Sequence, residues 1–387
     1  MHMSDGSTSA NDHLPLAGYK VIELGHSVAA PYAGLVLAEM GAEVIKIERP
    51  GVGDDCRGWG PPFRDGMSAT FQSLNRNKKS VTVDLKSPEG IALIKELAKD
   101  ADALVQNQKP GLAESLGIGP EALLAVNPRL IYTSIHAFGK MGPLSDRPGY
   151  DPLMQAFGGV MSTQGHPGQP PVRVGTSIID MGTGMWAAMA ILAGLLRREK
   201  TGKGGIVDAS LYETALGWMV YMLPTYAFSG KLPKPSGSGV NMISPYQAMK
   251  TSDSQLVMAA GNDNLFAKLC TVLGHPEWIA DERFLSNADR VVNKPAIIEL
   301  IESVTSLETT AHWIEKLDAA GIPNAPVQTL DQVQVHPQTE ALEILREDTE
   351  GQMSFFGLPI SFDGRRPDRN EQAPALGAHD GEFAAKG

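Results

Sequence analysis

One run of the 387-residue sequence pairs a reactive side chain with a backbone suited to present it: Pro170-Pro-Val-Arg-Val-Gly-Thr-Ser-Ile-Ile-Asp180-Met-Gly-Thr-Gly-Met-Trp186. Asp180 is its single carboxylate, a group that can act as a base or as a nucleophile. Val172 and Val174 alternate with polar neighbours, which predicts a short strand. An apolar stretch from Met185 to Leu196 then predicts a helix, closed by Arg197, Arg198 and Lys200 as suits a helix C-terminus. Asp180 is therefore expected where a loop enters a helix. Two readings of it are compatible. As an N-cap it would bond the first backbone N–H groups. As a nucleophile or base it would gain roughly 0.3–1 kcal/mol for its ionised form from the helix dipole. Gly182 and Gly184 are expected to open the backbone beside it to a ligand.

Other chemistries find little in the sequence. None of the nine histidines has metal-ligand spacing, so no metal site is expected. There is no G-x-S-x-G elbow, and no evident Cys/His pair. G-x-G-x-x-G is missing from the first loop and G-x-x-x-x-G-K-[ST] from the whole chain, which argues against dinucleotide and P-loop nucleotide sites. The net charge of −11 argues against nucleic acid as a partner, although a local basic patch could still take a polyanion. Two cysteines form no disulfide framework and fit a reducing cytoplasm. The apolar run Met185 to Leu196 is too short for a membrane span, which needs ~20 residues. Hydrophobic and charged contents of 42% and 20% are those of an ordinary globular protein.

The elements that must position Asp180 read as α/β. Residues 1–13 are polar and aperiodic, a disordered leader. Strands are expected at Lys20–Leu24, Glu43–Glu48, Ser80–Asp84, Ala103–Asn107, Leu130–Ile135 and Ile206–Ser210, with helices at Tyr32–Met40, Pro88–Lys99 and Leu211–Leu223. Alternation with short connections predicts a parallel, doubly wound sheet with ligand loops at the strand C-terminal ends. Arg49, Arg76, Lys78, Lys79, Lys86 and Lys109 fall at loops or strand ends. They are either solvated surface charges or the parts of a phosphate funnel. Residues 14–223 are expected to form most of a large domain. Residues 224–241, rich in Pro and Gly, read as a linker, and Ser236–Gly239 looks mobile. Residues 242–320 read as a small α+β domain, and 321–387 as an extended return and the rest of the large domain.

The chain resembles the class III CoA-transferases, the group of formyl-CoA transferase and carnitine CoA-transferase that also contains α-methylacyl-CoA racemase. The matching residues include Leu16-Ala-Gly-Tyr-Lys-Val-Ile-Glu-Leu24, Ala29-Ala-Pro31, Gly41-Ala-Glu-Val-Ile-Lys-Ile-Glu48, Gly53-Asp54 and Arg57-Gly-Trp59. Asn75-Arg-Asn-Lys-Lys-Ser80, Val83-Asp-Leu-Lys86, Asn107, Lys109-Pro-Gly111, Asn127-Pro-Arg129, Gly149-Tyr-Asp151, Gly175 with Asp180, Thr201-Gly-Lys-Gly204 and Gly321-Ile-Pro323 continue it. Each segment is weak alone; their order and spacing together are specific.

The resemblance implies a Rossmann-like large domain built from both chain ends, a small inserted domain, and an interlocked homodimer. It implies that Asp180 attacks an acyl-CoA thioester, with CoA passing through an aspartyl thioester to a carboxylic acid acceptor. The Ile243–Ala248 and Gly261–Asn264 segments hint at a dicarboxylate acceptor. CoA and acyl-CoA would be substrates, with no permanently bound cofactor and with neither nucleic acid nor membrane as partner. By position, Val28, Ala29, Arg49, Val83, Lys86, Asn107, Gln108, Lys109 and Tyr150 would line the CoA site. Gln108 replaces a usual aromatic, and Ser115 stands where formyl-CoA transferase has an arginine. Ser236–Gly239 could stand in for that enzyme's glycine-rich cover. A racemase on this fold pairs its aspartate with the histidine of a Gly-His-Asp run. Here the run is Gly149-Tyr150-Asp151, and a phenol with a pKa near ~10 is a poor base at neutral pH. A CoA-binding protein without turnover is the remaining alternative.

Overall fold

The computed structural model describes residues His13–Phe383. The disordered leader expected for residues 1–13 lies, apart from His13, outside the described residues. The chain divides into two compact units. The first holds the described residues up to Met161, then Arg173–Gly230, then those from Pro337 onward; the second holds Ser162–Val172 and Lys231–His336.

Six strands form the sheet of the first unit: β1 (Lys20–Leu24), β2 (Glu43–Glu48), β3 (Lys78–Thr82), β4 (Ala103–Gln106), β5 (Ile131–His136) and β6 (Gly205–Ser210). Their order is β3-β2-β1-β4-β5-β6 and every pairing is parallel, the doubly wound arrangement with its switch point between β1 and β4. The strands read as near-continuous apolar runs because both faces are covered. Val21, Val44, Val105 and Ile131 pack on one face with α1 (Ala29–Glu39). Ile22, Ile45, Leu104 and Val81 pack on the other with α2 (Pro88–Asp100). Helix α1 starts three residues earlier than the pattern suggested, and Pro31 sits in its first turn, where no intrahelical donor is lost.

Helix α3 (Asp151–Phe157) precedes the longest helix, α4 (Ile178–Thr201), which is followed by α5 (Leu211–Trp218) and α6 (Met222–Ser229). Three expectations are corrected here. Val172 and Val174 form no strand: Gln155 on α3 occupies the position of a partner strand, taking the Val174 N–H at 2.8 Å on Oε1. Helix α4 spans 24 residues and is long and apolar enough to cross a membrane, but half of its most apolar window is buried in the fold. Pro224 lies not in a linker but in the first turn of α6, where a missing N–H costs nothing, and α5 ends at Trp218.

In the second unit β7 (Tyr246–Lys250), β8 (Gln255–Ala259) and β9 (Asn324–Pro326) make an antiparallel sheet in the order β9-β8-β7. The stretch expected to be only an extended return supplies β9. Met249, Leu256 and Met258 pack against α7 (Asp263–Val272), α8 (Lys294–Thr305) and α9 (Thr310–Ala319) through Phe266, Ile297, Ile301 and Trp313. Ser236 and Gly239 are tied in a turn, the Gly239 N–H donating to the Ser236 carbonyl at 3.0 Å.

Gly182 and Gly184 serve packing rather than ligand access. A Cβ on Gly184 would stand 2.6 Å from the Ala29 carbonyl oxygen, and one on Gly182 would stand 2.7 Å from the Trp218 ring. Helices α1 and α4 thus touch backbone to backbone beside Asp180. Gly184→Ala should destabilise the fold by about 1–3 kcal/mol, because the facing backbone cannot yield as a side chain would. Urea unfolding of the two proteins measures this, and an unchanged midpoint would contradict the contact.

Candidate functional site

Asp180 occupies the third position of α4, after Ser177 as N-cap. It is not the cap residue in function either: the Ser177 side chain makes no cap bond, and the free N–H groups go elsewhere. Asp151, at the start of α3 and 1% exposed, accepts the Ile179 N–H at 2.7 Å and the Asp180 N–H at 3.2 Å on Oδ2. Its Oδ1 accepts from the Gln155 side chain. A carboxylate from a separate helix therefore satisfies the orphan donors of α4. Asp180 is released from that duty, and its carboxylate accepts no hydrogen bond from the described residues.

The consequence is electrostatic. Burial, then the charge of Asp151, push the Asp180 carboxyl up to about 7. Desolvation and a neighbouring like charge both disfavour the anion, and no bond to the charged form offsets them. Shifts of this kind gather at functional sites, which gives the carboxylate reading weight over a simple cap.

Asp180 opens into a cavity of about 470 Å³ with Val28, Ala29, Asn107, Gln108, Lys109 and Tyr150 among its lining residues. A second cavity of about 590 Å³ is lined by Arg49, Val83, Lys86 and Gln108 among others. His26 and Gln108 line both. The ten residues singled out in the sequence thus fall on two adjoining cavities at the C-terminal ends of β1 to β5, each within the roughly 300–1,000 Å³ of ligand sites. Val28 and Ala29 lie where the β1–α1 loop enters α1. Arg49 follows β2, with its guanidinium on the Gly53 carbonyl and the Asp55 carboxylate. Tyr150 is 55% exposed.

The basic residues divide. Arg49, Lys86 and Lys109 line the cavities. Arg76, Lys78 and Lys79 do not: Arg76 is buried against Glu39, Lys78 against Glu23, and Lys79 pairs with Glu43 and Glu382. Burial lowers the Lys78 pKa to about 8.

Four participants escaped the sequence reading. Asp151 caps α4 from 29 residues away. Arg147 lines the Asp180 cavity and, like Lys109, makes no ion pair among the described residues. His136 ends β5 in the same cavity, held through Nε2 by Asp208 on β6 at 3.1 Å, with Lys140 on the other Asp208 oxygen at 3.0 Å. His26 faces both cavities, and burial lowers its pKa. Only the histidines were visible as candidates by type, and their linear spacing pointed nowhere.

The strand order and the cavities beyond the strand C-termini define a doubly wound α/β protein with its cavities at the switch point. Residues 16–380 match CoA-transferase family III, and the chain belongs to that family. It is 38% identical to the succinyl-CoA:glutarate CoA-transferase of Mus musculus over 94% of this chain and 84% of that one. It is 36% identical to the acetyl-CoA:oxalate CoA-transferase of Acetobacter aceti, covering 98% of each. The crystal structure of a CAIB/BAIF family protein from Brucella suis matches with a TM-score of 0.87 at 37% identity, covering 96% of this chain and 99% of that one. By that membership the chain is an enzyme of the CoA-transferase class.

The raised Asp180 pKa sets a pH signature. Unfolded, the carboxyl ionises near 3.8; folded, near 7. The folded state holds the extra proton between those values, so wild-type stability falls as pH rises through that window and levels off above it. Asp180→Asn, which cannot ionise, should match wild type near pH 4 and exceed it at pH 8. Thermal melts of both proteins across this range test the sign; a variant less stable at pH 8 than at pH 4, relative to wild type, would reverse it.

Proposed function

We propose that this enzyme moves CoA from an acyl-CoA thioester to a free carboxylic acid, with Asp180 as the covalent relay. The observation that carries the reading is the Asp180 carboxylate: half-buried, without a hydrogen-bond donor, and facing a cavity that shares His26 and Gln108 with a second one, where Arg49 and Lys86 stand. An anion stripped of donors is a stronger nucleophile than a solvated one.

The steps balance without a cofactor. An Asp180 oxygen adds to the thioester carbonyl, the C–S bond breaks, and CoA thiolate leaves an acyl-aspartyl anhydride. The thiolate then attacks the aspartyl carbonyl, releasing the first acid as its carboxylate and leaving an aspartyl-CoA thioester. The acceptor carboxylate attacks that thioester to give a second anhydride, and the thiolate returns to the acceptor's acyl carbon. Asp180 is regenerated. CoA would lie with its phosphates toward Arg49 and Lys86 and its thiol toward Val28, Ala29 and Asp180. The side chains of Asn107 and Gln108 are engaged by the β1–α1 loop, so their part is to shape the wall.

Lys109 and Arg147, cations that line the Asp180 cavity and form no ion pair among the described residues, suit an acid that carries a second carboxylate. The relatives named for succinyl-CoA with glutarate and for acetyl-CoA with oxalate support a dicarboxylate as donor acid or acceptor. Tyr150, exposed at the cavity, stands where the racemases of this fold have their histidine, which favours transfer over racemisation.

Assembly belongs to the same reading. Met185, Trp186, Met189 and Leu196 on α4 and Phe228 on α6 are exposed, Phe228 by 93%. Apolar surface on this scale marks an interface, and a second copy of the chain is the proposed cover. Sedimentation at low concentration should give a dimer; a stable folded monomer would remove this part of the proposal.

The chemistry has a direct test. Wild type mixed with succinyl-CoA and quenched with hydroxylamine should carry a hydroxamate on the peptide containing Asp180. Asp180→Asn should fold, still bind CoA, carry no hydroxamate, and lose transfer to glutarate or oxalate by several orders of magnitude. An active Asp180→Asn protein, or a label on Asp151 instead, would sink the assignment.

A further inference from the structure

The loop between β1 and α1 forms the wall shared by the two cavities, and side chains from other elements hold its backbone. Leu24 O accepts from Gln108 Nε2 at 2.8 Å. Gly25 O accepts from Lys46 Nζ at 2.9 Å. Asn107 takes both groups of His26, its Oδ1 accepting the N–H at 3.0 Å and its Nδ2 donating to the carbonyl at 2.9 Å. The Ser27 N–H donates to Asp54 Oδ1 at 2.9 Å. Ser27 is held at φ +67, a region that a serine rarely adopts without such support.

Two of these anchors belong to one buried charge cluster. Lys46, 0% exposed in the middle of β2, uses all three ammonium donors: on Gly25 O, on Glu23 Oε1 at 2.8 Å, and on Asp54 Oδ2 at 2.8 Å. Glu23 and Lys46 are register partners on the α1 face of the sheet. Gly34 on α1 makes the space, since a Cβ there would stand 1.9 Å from Glu23 Oε2. Asp54 also accepts the Cys56 N–H at 3.0 Å. Replacing a buried ion pair with apolar side chains is often neutral or stabilising, so stability is a weak reason for this cluster. Apolar side chains could not bind Gly25 O and Ser27 N–H, however, and those are the groups that set the path of the cavity wall.

We infer that Lys46 and Asp54 are positioning residues for acyl-CoA: through Gly25 O and the Ser27 N–H they hold the β1–α1 loop in its bound shape before the substrate arrives. The inference rests on the reading of the two cavities as the acyl-CoA site. Affinity is then set in part by a salt bridge beneath the wall, because a loop already ordered loses no freedom on binding.

Two measurements on the full chain test it. In wild type, hydrogen exchange should find the His26 and Ser27 amides protected like those of β1 although they lie in a loop, with little added protection when CoA binds. Fast exchange that slows only with CoA would overturn the inference. In equilibrium dialysis, Asp54→Asn and Asp54→Ser should each weaken CoA binding by roughly tenfold or more, about 1.4 kcal/mol by the affinity relation. Asp54→Ser retains a cap for Cys56 but cannot also reach Lys46. The control is Glu39→Gln, which breaks the buried pair with Arg76 at the far end of α1. It should lower the melting temperature at least as much while leaving CoA affinity within about a factor of two. Asp54 variants that are folded and bind CoA like wild type would refute the positioning role alone. A wild type that binds no CoA at all would refute the acyl-CoA reading on which it rests.

Discussion

The site depends on one hydrogen-bonding arrangement: a buried carboxylate on one helix satisfying the first donors of another. Asp151 accepts the N–H groups of Ile179 and Asp180. Had Asp180 capped its own helix, its oxygens would be bound to backbone and its charge stabilised, and both effects would blunt it as a nucleophile. Handing the cap to Asp151 frees those oxygens and places a second negative charge nearby. The carboxyl at about 7 is the outcome. The rest of the neighbourhood holds this geometry. Gln155 ties α3 to the Val174 backbone, and Thr183 on α4 bonds Thr214 on α5 at 2.8 Å.

The walls are built by a different means. The β1–α1 loop is clamped through its peptide groups. That demands donors and acceptors in the interior, so charges are buried at the C-terminal ends of β1 and β2. Burial works against the charge of Lys46, yet Glu23 and Asp54 raise its pKa above the ordinary lysine value. Burial would likewise raise Asp54, but Lys46 and the backbone donors hold it down to about 2. Lys46 and Asp54 stay ionised across the physiological range while Asp180 titrates within it. One site thus contains a permanent electrostatic frame and a single adjustable acid.

The sheet was legible because its strands are apolar runs bounded by loop residues, and parallel pairing buries both faces of such runs. The entry of α4 was legible from the change of texture around Asp180. What failed did so where linear pattern and spatial role part company. Val172 and Val174 alternate like a strand, but a glutamine side chain fills the partner's place. Gly182 and Gly184 look like a ligand approach, yet each faces another helix. Lys78 reads as either a solvated surface charge or part of a phosphate funnel, while the carboxylate that pairs with it, Glu23, sits two strands away on β1. Asp151 was in view only as part of the Gly149-Tyr-Asp151 run. Its bond to the α4 N-terminus spans 29 residues, and nothing in local spacing encodes it.

The overall charge of −11 is a poor match for a polyanionic thioester, and what bears on binding is how charges are paired at the cavities. At physiological ionic strength exposed charges are screened beyond ~8 Å, so a ligand in a cavity responds to the groups lining it and little to the distant surface. Arg49 and Lys86 line one cavity with Glu48, Asp54, Asp55 and Asp84; Lys109 and Arg147 line the other with Asp146 and Asp180. The acidic residues of the interior are largely matched, Glu23 by two lysines and Glu48 by Arg57. Asp151 and Asp180 have no cation partner among the described residues: Asp151 is held by the Gln155 side chain and two backbone N–H groups, while the Asp180 carboxylate is held by none. The Asp180 carboxyl therefore answers to burial and to Asp151 rather than to the cations that line its cavity, and it stays an adjustable acid where the other charges of the wall are fixed by their partners.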